Sequence, residues 1–118
     1  MKIQKKNMRK PDETRKFKKG SLKIVSIGKA SFGLYTFHPG WKWSTCVKPL
    51  VGTQSCQSTH TEYHISGTLR VKMDSGEQYD LKAGDVAIIP PGHDAWVVGK
   101  ETVMALDLTG MVGYAKKK

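Results

Sequence analysis

Between Gln54 and His64 the chain places a thiol, two imidazoles and a carboxylate: Cys56, His60, His64 and Glu62. Side chains alternate along a strand, so in an extended segment His60, Glu62 and His64 share one face, and Thr61, Tyr63 and Ile65 the other. Two imidazoles, a carboxylate and a thiolate on facing strands are a donor set for Zn, Ni, Fe or Mn. Thiolate and imidazole favour Zn or Ni over Mg or Ca. A bulge after Cys56 would turn the set away. The same groups admit other chemistry. Cys56 with His60 as its base would be a nucleophilic or redox-reactive thiol. Cys56 can equally be a small core residue. Glu62 and His64 can form a hydrogen-bonded pair at a rim, because isolated buried charge is costly.

A second group follows Pro90-Pro91-Gly92. His93 could supply a ligand or a general base oriented by Asp94; alternatively Asp94 caps the corner and His93 is solvated. Trp41, Trp43 and Trp96 could line a pocket for an organic ligand, or fill a sheet interface. His38 precedes a Pro-Gly turn and reads as a surface residue, and Cys46 reads as structural.

The elements that would position these groups are short strands. Apolar or alternating segments cover Leu22–Ile27, Phe32–Phe37, Thr61–Ile65, Leu69–Met73, Tyr79–Leu81, Val86–Ile89, Ala95–Val98 and Val103–Leu108. Gly28, Pro39-Gly40, Gly67, Asp74-Ser75-Gly76 and Gly84 punctuate them, as tight turns require. This pattern predicts an all-β sandwich or barrel, with no helix.

At 118 residues the chain is one domain. No apolar run is long enough to span a membrane. The basic N-terminus lacks the apolar stretch of a signal peptide, so a cytoplasmic protein with two reduced cysteines is expected. The net charge of +10 sits in the ends: residues 1–23 carry ten Lys and Arg against two acids, and Lys116 to Lys118 add three. The rest has seven bases and eight acids. A basic arm can bind nucleic acid or solubilise the chain. No aromatics interleave with it to stack bases, which disfavours nucleic acid as a partner.

The spacing Gly84, five residues, Pro90, one residue, Gly92 resembles the second motif of the cupin superfamily. That motif carries a metal-binding His three residues later, where this chain has Ala95. The first cupin motif, anchored on Gly67, places Gln54 and Cys56 at the two usual His positions and His60 at the usual Glu. Five blocks are similar to a group of small bacterial cupins without an assigned reaction. They are residues 11–17, Pro39 to Ser44, Val47-Lys48-Pro49, Gly52 to Gln57, and Pro90 to Gly99. The resemblance implies an all-β, cupin-type jelly-roll barrel, with two antiparallel sheets around a small pocket. It implies an arm over residues 1–20, of which 11–17 pack on the barrel, a barrel over 21–112 and a basic tail over 113–118. It also implies that Cys56 points inward and that Glu62 and His64 occupy places where small or apolar residues are usual. On this basis Cys56, His60 and His93 are the candidate catalytic residues, and with Glu62 and His64 the candidate ligands of a divalent metal. The expected function is binding of a small polar metabolite in the pocket, with or without the metal. The alternative is a metal- or Cys/His-dependent oxygenase, isomerase or lyase. A homodimer is also expected, with Leu22–Ile27 pairing across a two-fold axis.

Overall fold

A computed structural model describes residues 2–108; the expected tail at 113–118 and the last residues of the expected barrel lie outside them. Among the described residues nine strands form two antiparallel sheets. They are β1 (Glu13–Phe17), β2 (Gly20–Ile27), β3 (Ala30–Phe37), β4 (His60–Ser66), β5 (Thr68–Met73), β6 (Gln78–Lys82), β7 (Val86–Ile89), β8 (His93–Val98) and β9 (Val103–Asp107). The larger sheet has the order β1-β2-β3-β9-β4-β7, and the smaller β6-β5-β8.

Alternating burial shows which face meets the other sheet. In β8 His93, Ala95 and Val97 are buried; in β9 Val103, Ala105 and Asp107 are. The core between the sheets is rich in rings, with Phe37 stacked on Trp41 at 3.8 Å and on Tyr35 at 5.2 Å. Gly67 joins β4 to β5 at φ +73°, and a Cβ there would lie 2.8 Å from the carbonyl oxygen of Thr102. Only glycine fits that corner.

Three features extend or correct the sequence reading. Residues 13–17 pair along their whole length with β2, from Glu13 opposite Ile24 to Phe17 opposite Gly20, and so form a strand. Two one-turn helices occur where none was expected, α1 (Trp43–Cys46) and α2 (Lys48–Val51). Pro49 lies in the first turn of α2 and Gly52 closes it at φ 78°, the favoured residue types at those ends. Finally, β1 covers β2 from Gly20 to Ile24, so Leu22–Ile24 are already paired on both sides and the segment Leu22–Ile27 cannot pair along its whole length with a second copy, as the sequence suggests.

Candidate metal centre

His60, Glu62 and His64 lie on the buried face of β4, as strand parity requires. Cys56 precedes β4 in an irregular segment, and its backbone ties that segment to β8. Its N–H donates to the His93 carbonyl at 2.7 Å, and its own carbonyl accepts from Gly92 N–H at 2.7 Å. Gly92 sits at φ +91° in the Pro90-Pro91-Gly92 corner, so the bend that ends β7 delivers His93 alongside Cys56. Asp94 caps α1 by accepting from Ser44 N–H at 3.1 Å. Ala95 is buried on the same face of β8 as His93.

Ligand atoms of Cys56, His60 and His93 all lie within 4.8 Å of one another, and all three residues are buried. Cys56 Sγ is 3.7 Å from His60 Nε2, and the His60 and His93 ring centroids are 5.3 Å apart. The orientation of each ring is fixed from behind. His93 Nδ1–H donates to the Pro90 carbonyl at 2.8 Å; a carbonyl only accepts, so this nitrogen carries the proton. His60 Nδ1–H donates to Asp107 Oδ2 at 2.6 Å, and Asp107 Oδ1 also accepts from Thr61 N–H at 3.3 Å. Both Nε2 atoms are therefore left for the Cys56 side.

His64 joins neither ligand group. Its Nε2–H donates to Glu62 Oε1 at 2.8 Å, and among the described residues its Nδ1 has no hydrogen-bond partner. Glu62 belongs to a second group with His60 and Asp107. There the 2.6 Å contact of His60 with Asp107 is a hydrogen bond, shorter than the roughly 3.4 Å between two tetrahedral donors on one zinc ion. That group positions His60.

The electrostatics follow from these contacts. Burial pushes the Cys56 thiol up, but hydrogen bonds to His60 and His93 and the field of the two rings outweigh it. The thiol falls from 9.0 to about 6. Burial pushes His60 down, yet the Asp107 hydrogen bond, the Cys56 contact and the Glu62 charge hold it up, from 6.5 to about 10. Without a metal both shifts favour a buried thiolate beside an imidazolium. The cavity lined by Trp43, Cys56, His60, Leu69, Ile89 and His93 has a volume of about 20 Å³.

The other candidates lie apart. Gln54 is exposed, and so is His38, 3.5 Å from the Thr102 hydroxyl. Trp41 and Trp43 are core residues; half-buried Trp96 carries Lys42 over its ring at 5.0 Å. Cys46 is buried in α1.

No protein-family model matches the sequence, and no curated protein does. Solved structures are similar in fold. An oxalate decarboxylase from Lactobacillus farciminis, determined as a formate complex, superposes over 86% of this chain with a TM-score of 0.61 and 19% identity. This chain spans only 32% of that protein's length. A Rhizobium leguminosarum protein of unknown function matches over 92% of this chain and 97% of its own, with a TM-score of 0.62 and 18% identity. KdgF from Halomonas sp. matches over 83% and 86%, at 0.57 and 18%. The fold is that of a small cupin. At these identities the likeness concerns the fold alone, so the chemistry of this protein rests on its own residues.

Asp107 is the residue of the candidate site that motif reasoning passes over. Its signal was its parity: Val103 and Ala105 are inward, so the third inward position of β9 is a carboxylate. An acid at a core position needs a partner.

Proposed function

We propose that this cupin holds one divalent ion of the zinc or nickel class through Cys56 Sγ and the Nε2 atoms of His60 and His93, and uses it to bind and transform a small polar molecule. The supporting observation is the pair of locked rings, each with its Nδ1–H committed, to Asp107 and to Pro90, and its Nε2 left for the Cys56 side. Carboxylates and carbonyls behind ligating imidazoles orient them in this way.

The donor set and the space both fit. Zn–S and Zn–N bonds of about 2.3 and 2.0 Å at a tetrahedral angle separate S from N by about 3.5 Å, against the 3.7 Å between Cys56 and His60. A cavity of about 20 Å³ accommodates an ion or a water, each needing on the order of 10–15 Å³, and falls far short of the roughly 300 Å³ of a metabolite pocket. Three protein ligands leave one position open, which is the catalytic rather than the structural pattern for zinc. Such an ion would polarise an oxygen of the ligand or activate a bound water. Cys56 would bind as the thiolate it already is at neutral pH. His60 would give up its Nε2 proton and keep its Nδ1 proton on Asp107. Trp43, Leu69 and Ile89 would exclude bulk water.

A second reading has its own support. In the metal-free state Cys56, His60 and Asp107 form a nucleophilic thiolate, its base and an orienting acid, as the lowered thiol and raised imidazole favour. The cavity of about 20 Å³ restricts this reading as it restricts the metal one: without movement of its walls either centre admits only a molecule of a few atoms.

Metal analysis of protein purified without a His-tag separates the two. The metal reading expects about one zinc or nickel per chain, retained on dialysis and lost in Cys56→Ala and His60→Ala. Absence of metal, with no uptake of added zinc at micromolar concentration, would defeat it and leave the thiolate.

A further inference from the structure

Among the described residues the barrel has two seams between its sheets, and only one is bridged. On the β8 side, the segment between β3 and β4 crosses from sheet to sheet through bridges at Lys42–Trp96 and Cys56–His93. On the other side the larger sheet ends at β7 and the smaller at β6. These strands follow one another in sequence, yet among the described residues no ladder joins them. Between them lies a groove of about 420 Å³, lined on one wall by Met73, Tyr79 and Leu81 and on the other by Ala87, Ile88 and Ile89. Its volume falls within the roughly 300–1,000 Å³ of small-molecule sites. Tyr79 and Ile88 are 58% and 75% exposed at its rim.

The charge of the groove runs against that of the chain. The sequence has 20 Lys and Arg against 10 Asp and Glu, yet the charged groups lining the groove are Glu77 and Asp80, with no base among them. Asp80 is matched by Arg70, which donates from Nε and Nη2 at 2.7 and 3.0 Å. Glu77 accepts from the Tyr79 hydroxyl at 2.9 Å and enters no ion pair among the described residues. An apolar trough with one uncompensated carboxylate selects for a molecule with an apolar body and a positive head.

We propose that the β6–β7 groove is a binding site for small organic cations, amines with an aliphatic or aromatic body, whose ammonium meets Glu77 while the body lies on Met73, Leu81 and Ile89. Val71 and Ile89 line both this groove and the inner cavity, so the two sites share a wall. Binding in the groove does not depend on a metal at the centre, and stands or falls separately from it.

Amide shifts in nitrogen-15 NMR of the full chain test the site, with 2-phenylethylamine as probe and 2-phenylethanol and 3-phenylpropionate as neutral and anionic controls. The amine is expected to saturate shifts at Tyr79, Leu81, Ala87 and Ile88, binding about fivefold or more tighter than the carboxylate, since attraction at an exposed acid becomes repulsion. Glu77→Gln should erase that preference, and Leu81→Trp should fill the groove and abolish binding. Metal content, measured on the same samples, should not change in either variant. Equal or tighter binding of the carboxylate, shifts elsewhere, or no saturation by about 10 mM in the unaltered protein would overturn the proposal. So would groove amides that change with protein concentration alone, which would show a second copy seated there.

Discussion

Replacing Asp107 with Asn probes the centre through a residue that the proposed ion does not touch. Asp107 is fully buried, with one oxygen on His60 Nδ1–H at 2.6 Å and the other on Thr61 N–H at 3.3 Å. Asparagine keeps the shape but turns one side into an N–H donor, which must face one of those two donors. The rise of His60 from 6.5 to about 10 corresponds to on the order of 5 kcal/mol at 1.36 kcal/mol per pH unit. Asp107, Cys56 and Glu62 share that upward pull, with Asp107 first among them. Its loss should therefore cost about 2 kcal/mol, below the 3–5 kcal/mol of breaking a buried pair outright, and lower the Tm by roughly 8 °C in a domain of this size.

The sign with pH is fixed by the two groups. His60 is raised, so its contribution to stability is complete below 6.5 and disappears as pH rises through about 10. Cys56 is lowered, so its contribution is complete above 9.0 and disappears as pH falls through about 6. The metal-free protein should hold the thiolate–imidazolium pair between those limits, and Asp107→Asn should narrow the window from both ends. The assay is a pH titration of thiolate ultraviolet absorbance in metal-free protein, with Cys56→Ser subtracted to remove Cys46. The midpoint should move from about 6 toward 9.0 by a full unit or more. A midpoint unchanged within about half a unit, some 0.7 kcal/mol, would refute the view that Asp107 acts on the thiol through His60.

Zinc uptake near neutral pH should release about one proton, from His60 Nε2, and its affinity should fall below about pH 6, where Cys56 is protonated; pH-stat titration and competition with a chromophoric chelator measure both. Gly67→Ala should cost at least about 2 kcal/mol, because the left-handed backbone and a Cβ 2.8 Å from Thr102 O both resist it; a Tm within about 2 °C of the parent would contradict this. Deleting residues 2–9 should change the Tm by less than about 5 °C, since the Lys6–Asp12 bridge is 45% and 42% exposed and Met8 is only half-buried; calorimetry decides it.

What the sequence disclosed depended on whether a residue's role was local. Alternation in Phe32–Phe37, Leu69–Met73 and Ala95–Val98 reports burial on one face, and those segments became β3, β5 and β8 almost unchanged. The segment Glu13-Thr-Arg-Lys-Phe has only one apolar residue, because β1 is an edge held mainly through backbone pairing with β2 and through Phe17 against Phe37 at 6.1 Å. Nothing in its composition records those bonds. Helices α1 and α2 are each one turn long, too short to show a 3.6-residue period. His60, Glu62 and His64 were legible as one face of β4 because parity within a strand is local. The partnership of Asp107 with His60 spans 47 residues and two strands; only the register of β9 against β4, with Asp107 opposite Glu62, brings them together.

That register also bears on the choice between a metal and a bare thiolate. Three acidic groups, Cys56, Glu62 and Asp107, converge on His60 inside the barrel, each no more than 4% exposed. Buried charge of one sign is tolerated only when offset nearby, since the desolvation cost is several kcal/mol per ion. Glu62 is also hydrogen-bonded to His64 at 2.8 Å, which leaves His60 facing the thiol and Asp107. A dication at Sγ and the two Nε2 atoms offsets two, and does so with His60 neutral and still donating to Asp107. The exchange needs no rearrangement of the strands: one proton leaves, and the rings are already turned. A centre built only as a nucleophile would have no use for His93 held with its Nε2 left for the Cys56 side, because one base is enough to take the proton of a thiol. His93, locked by Pro90 at the corner that ends β7, is the residue on which the proposed ligand set depends.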